Sequence, residues 1–94
     1  MLRELKKLII QELEEQLEKA IGNSVFYKIH KISEKVREKT REFNITIIRE
    51  ITKHILEKLC KEAECTIYDT SRGRIYEFKK EKIREVLEKL KESL

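Results

Sequence analysis

Phe43–Cys60, FNITIIREITKHILEKLC, is the stretch that decides the fold. Eight of its eighteen residues are Ile, Leu or Cys, and Ile48, Ile51, Ile55 and Leu59 recur at the three- and four-residue spacing of one helix face. On an ideal wheel Ile45, Ile47, Leu56 and Cys60 widen that face to roughly 220°. A helix so apolar must be covered on several sides. The remainder is a polar strip of Thr46, Arg49, Glu50, Lys53, His54 and Glu57, the only part left to meet water or a partner. Asn44 is placed to cap the helix, because its side-chain oxygen can accept from an unpaired amide of the first turn. The β-branched, alternating run Phe43–Ile48 also fits a short strand leading into a shorter helix; the helical reading is adopted.

Working outward toward the N-terminus, Ser24 reads as the cap of another helix that reaches Glu42. Val25 or Phe26, Ile29, Ile32, Val36, Thr40 and Phe43 keep its apolar spacing. Only Glu42–Asn44 separates it from the central helix, so the two are neighbours. Met1–Ile21 forms a first amphipathic helix ended by Gly22 and Asn23, since glycine takes the left-handed conformation at a helix end without a Cβ penalty. Its apolar residues spread over roughly 220°, wider than docking on one small core requires. Leu2, Leu5, Ile9, Ile10, Leu13 and Leu17 are therefore expected at an interface with a second copy. Glu15 and Lys19 are expected to pair on the surface.

Beyond the central helix the period changes. Cys65–Asp69 and Arg74–Phe78 are two five-residue runs rich in β-branched and aromatic residues, separated by Thr70-Ser71-Arg72-Gly73. They predict a β-hairpin with a four-residue loop and Gly73 in the left-handed region. Asp69 then faces Arg74, and Cys65, Ile67, Tyr76 and Phe78 share one side. Lys79–Leu94 closes the chain as a last helix that buries Ile83, Val86, Leu87, Leu90 and Leu94. The fold class expected is mostly α with one β-hairpin, four helices with the hairpin between the third and fourth. Residues 1–94 form one domain, with 1–22 as a dimerisation helix, 24–78 as a core and 79–94 as a C-terminal helix.

A chain of 94 residues supports one modest core and no separate substrate domain. It is 43% charged, rich in Lys, Glu and Ile, and has no Pro, the bias of proteins whose ion-pair networks must hold at high temperature. A hyperthermophilic source is expected. No signal peptide or membrane span is evident, which places the protein in the cytoplasm. The net charge of +4 is unevenly spread. Residues 1–22 carry four basic and five acidic groups, whereas 28–41 and 72–84 each carry six basic against two acidic. Such stretches attract a polyanion. The competing reading is two solvated helix faces, in which Lys31, Lys35 and Lys39 pair with Glu34, Glu38 and Glu42 along one helix.

Catalytic motifs are lacking: no glycine-rich phosphate loop, no nucleophile motif, no carboxylate pair in an apolar setting. Cys60 and Cys65 with His54 and His30 do not make a convincing zinc set, because C-x4-C lacks a second ligand pair. No metal or cofactor is expected. The two cysteines read as buried fillers, with a disulfide as the other possibility. Tyr27, Tyr68 and Tyr76 could stack on bases, yet aromatics at hairpin spacing more often fill a core.

In its order of elements, residues 24–78 resemble a winged helix-turn-helix DNA-binding domain: a helix, a tight turn at Glu42–Asn44, a second helix ending in LEKLCKEAE, and the hairpin CTIYDTSRGRIYEF with a basic, glycine-containing tip. The resemblance implies that the second helix enters the major groove by its N-terminal half and that the wing touches backbone or minor groove. Thr46, Arg49 and Lys53 would then face bases or phosphates, and Arg72 and Arg74 would be wing contacts. Lys28, Lys31, Lys35 and Arg41 complete the expected duplex-DNA surface. The chain departs from the family's pattern in its long helix before the turn, in the lack of an evident small strand preceding it, and in Glu50 and Glu57 on the recognition face. The function expected is non-enzymatic: a homodimeric DNA-binding protein of regulatory or nucleoid type. An assembly subunit that works through its apolar helices, and an RNA-binding protein, are the competing readings.

Overall fold

A computed structural model describes residues 2–94. The chain runs α1 (Leu2–Lys19), β1 (Ser24–Lys28), α2 (Ile29–Lys39), α3 (Ile45–Ala63), β2 (Cys65–Thr70), β3 (Gly73–Lys79) and α4 (Lys80–Glu92). The expected class holds: four helices, with a hairpin between the third and fourth, in a winged-helix-like layout. The sheet is antiparallel with strand order β1-β3-β2.

β1 corrects the sequence reading, which put Ser24–Lys28 at the start of a helix. Val25, Phe26 and Tyr27 are β-formers, and β3 supplies the ladder that decides their state, pairing Val25 with Phe78 and Tyr27 with Tyr76. Val25, Tyr27, Tyr76 and Phe78 point inward and are buried, so the strand gains both backbone hydrogen bonds and apolar cover. α2 accordingly starts four residues later than expected, its cap moving from Ser24 to Lys28, and ends at Lys39. The small strand that the winged-helix pattern calls for is therefore present.

The central helix forms as read, over Ile45–Ala63, ending within the expected LEKLCKEAE. Asn44 caps it, its Oδ1 accepting from the Ile47 amide at 2.9 Å. Ile48, Thr52, Ile55, Leu56, Leu59 and Ala63 are buried. The hairpin keeps the expected register, with Asp69 opposite Arg74, and pairing continues one step to Thr70 and Gly73, leaving Ser71 and Arg72 as the turn. Gly73 has φ +124°, a conformation that L side chains rarely adopt. Cys60 and Cys65 are joined in a disulfide, their Cα atoms 4.9 Å apart, which ties the end of α3 to the start of β2.

α1 also differs from expectation. Leu5, Ile9, Ile10, Leu13 and Leu17 are no more than 5% exposed within the single chain. Its broad apolar arc is not surplus: α2, α3, α4 and β1 all pack around it. The residues expected at a dimer interface thus belong to the protomer's own core, and of the six only Leu2, 49% exposed, stays at the surface. Tyr27 locks β1 to this helix by donating its hydroxyl proton to the Leu13 carbonyl at 2.9 Å. Glu15 meets Lys39 rather than Lys19, and Lys39 also reaches the buried Glu12. Among the described residues no helix is long and apolar enough to cross a membrane.

Candidate nucleic-acid interface

The polar strip of α3 lies where the sequence put it. Thr46, Arg49, Glu50, Lys53 and His54 are exposed, because the buried residues of the same helix occupy the opposite face. At its N-terminal end, Arg49 lines a surface groove together with Arg37 and Arg41, beside Phe43, Asn44, Glu34 and Glu38. Three arginines, from α2, the turn and α3, thus border one groove, against two carboxylates. Arg37 was absent from the expected set, although its position four residues before Arg41 is the signal that could have added it.

Lys28, Lys31 and Lys35 do not join this group. They line a different groove, between α1 and the β1–α2 segment, with Lys19, Ile21 and Phe26. The reason is geometric: at ~100° per residue, Arg37 and the Lys31–Lys35 row fall on opposite sides of the Glu34–Glu38 row of α2. The expected single basic surface is therefore two. The ladder pairing along α2 is also not seen; its one ion-paired lysine among the described residues, Lys39, crosses to α1.

At the hairpin, the two arginines differ in kind. Arg74 Nε donates to Asp69 Oδ1 at 2.9 Å, and its Nη1 lies 3.7 Å from Glu57 of α3. The hydrogen bond to Asp69 holds its guanidinium even more firmly protonated than usual. Arg74 is a strut between hairpin and helix, and the family's role of wing contact does not suit it. Arg72, by contrast, is exposed at the turn and has no carboxylate partner among the described residues. Its backbone is fixed, since its amide donates to Thr70 Oγ1 while the Thr70 hydroxyl donates to the Gly73 carbonyl.

Of the three tyrosines considered for stacking, Tyr27 and Tyr76 are fully buried, while Tyr68 is 45% exposed. The Tyr68 hydroxyl donates to Glu77 at 2.8 Å, and this bond keeps its phenol protonated above the usual range. Both cysteine sulfurs are committed to each other. Among the described residues no group of three or more His, Cys, Asp or Glu is placed to hold a metal. The surface offers fixed cations and hydrogen-bond donors suited to phosphate or carboxylate oxygens. Comparison with known proteins finds no matching family model, no matching curated protein and no matching solved structure.

Proposed function

We propose that this chain is a non-enzymatic, winged-helix-type protein that binds duplex DNA through its phosphates. The observation that carries the reading is that Arg37, Arg41 and Arg49 line one groove, with an excess over Glu34 and Glu38, at the start of α3, the end of the helix that the family's docking geometry aims at the major groove. Thr46 and Lys53 extend that surface along the exposed strip. Arg72 adds a free cation on a fixed turn. Arginine forks match phosphate oxygens in pairs, so the arrangement favours a regular anionic backbone over scattered surface charge. Glu50 and Glu57 lie on the same strip, with Glu57 occupied by Arg74, so the reading assigns phosphate contact to this face ahead of base readout.

The test is a titration of a 20-base-pair duplex at two salt concentrations. Affinity is expected to fall steeply with salt, with a log–log slope of about −0.9 for each phosphate neutralised. Arg72→Ala is expected to make the slope shallower by about one unit and to weaken all sequences alike. Arg49→Ala and Arg37→Ala should each weaken binding, Arg49→Ala unequally among sequences if α3 enters the groove. Wild-type protein with no salt-sensitive duplex binding, or arginine variants without effect, would replace this reading with an assembly role.

A further inference from the structure

The outer face of the sheet carries what the duplex reading leaves unused. β1 alternates inward Val25 and Tyr27 with outward Phe26 and Lys28, and β2 turns Tyr68 to the same outer side, in line with Ile75 of β3 and Lys28. Phe26 is 51% exposed and Tyr68 45% exposed, so two aromatic residues stand on the outer strands in neighbouring cross-strand rows, their backbones ~12 Å apart across β3. Phe26 lines a groove whose other wall is α1, and the groove continues past Lys28 to Lys31, Lys35 and Lys19, with Ile21 almost fully exposed at its edge. Among the described residues none of these four lysines has a carboxylate within ion-pairing distance. Of the acidic groups nearby, Glu12 and Glu15 pair with Lys39, whereas Glu77, opposite Phe26 on β3, stands on the same face and accepts from the Tyr68 hydroxyl, and Glu34 and Glu38 on the next row of α2 have no ion-pair partner among the described residues.

We propose that this face is a second nucleic-acid site, separate from the α3 surface, and that its ligand is a single strand. A duplex hides the faces of its bases and is read by an element that enters a groove, and nothing projects from this side of the sheet. A single strand offers unstacked bases to Phe26 and Tyr68 and phosphates to the lysine row, the combination by which single strands are held without sequence preference. A protein partner fits less well, because lysine is depleted at the cores of protein interfaces. Phe26 and Tyr68 are the stacking residues; Lys28, Lys31, Lys35 and Lys19 track the backbone.

The experiment is fluorescence anisotropy of a labelled twelve-residue oligothymidylate, run beside the 20-base-pair duplex at low salt. The single strand should bind, and Phe26→Ala with Tyr68→Ala should weaken it at least about tenfold while duplex affinity stays within about twofold. Both side chains are half-exposed, so these variants keep the fold, which a melting curve checks. Lys31→Ala with Lys35→Ala should make the single-strand salt slope shallower by about 0.7 for each phosphate no longer neutralised. The chain has no tryptophan, so Phe26→Trp supplies a lone reporter whose fluorescence should be quenched by the oligothymidylate. Failure of the single strand to bind overturns the proposal. So does Phe26→Leu binding as tightly as wild type, which points to an apolar docking face for protein, or Arg49→Ala and Arg72→Ala weakening both ligands equally, which points to one shared site. Single-strand binding without duplex binding sustains this proposal and removes the duplex one.

Discussion

Tyr27 shows how much one side chain settles in a small protein. It has no solvent exposure, its ring lies 5.7 Å from that of Phe78, and its hydroxyl donates to the Leu13 carbonyl. Burial, with Glu14 adding to it, pushes its phenol well above the usual value of ~10. Because the folded-state value is the higher, the stability this residue lends is complete below about pH 10 and is lost as pH rises through the folded value. Tyr27→Phe is expected to lower stability by about 1 kcal/mol at neutral pH, through the lost hydrogen bond. It should also shrink the loss of stability between pH 8 and pH 11, measured by urea unfolding of both proteins at the two values. At this scale the sequence was only partly readable. Asn44 announced itself as a cap by its place before an apolar run. The core reading of the tyrosines holds for Tyr27 and Tyr76 and not for Tyr68, and of Val25 and Phe26, either of which the helical reading let face inward, the strand buries Val25 and turns Phe26 out.

At the scale of elements, what the sequence disclosed depended on how local the deciding contacts are. The hairpin register could be read because Asp69 and Arg74 are five residues apart and the alternation on each side is unambiguous. β1 could not, since Ser24–Lys28 is held by a strand some fifty residues away and its own spacing fits a helix. Likewise, the run from Lys28 to Arg41 read as one basic stretch, whereas the turn of α2 sends Lys31 and Lys35 to one flank and Arg37 to the other. The link between α3 and β2 offers a direct measurement. The Cys60–Cys65 bridge closes a loop whose ends are five residues apart in sequence, for which the chain-entropy account gives about 2 kcal/mol. A phosphine reductant is expected to lower the melting temperature by about 10 °C. Cys60→Ser with Cys65→Ser should melt at that lower temperature with or without the reductant; a wild-type melt unmoved by reduction would show that the bridge leaves stability alone.

For the whole molecule, the position of α1 changes where a second copy could bind. Its leucines and isoleucines serve the protomer's core, so a dimer would need another surface, and the candidates are Val86, Leu90 and Leu94 of the last helix, which pack on the core yet are only partly covered. Closed two-fold dimers are the commonest assembly of such chains. Sedimentation equilibrium at micromolar concentration should give twice the chain mass of 11.4 kDa, and Leu90→Lys should reduce it to one chain, with a melting curve recording how far the loss of its packing on the core lowers stability. A wild-type protein that sediments as one chain would end this expectation. The strut formed by Glu57, Arg74 and Asp69 carries a further consequence for the molecule that meets DNA. Together with the Cys60–Cys65 bridge and the packing of β3 on α3 it holds the hairpin against the helix, so the span from Arg49 to Arg72 is set by the protein. On the proposed reading the protein therefore acts as a gauge: a duplex whose groove width matches the span binds as it is, and a stiffer or wider one must bend first. Sequences would then be sorted by how readily they deform, even at positions that no side chain touches.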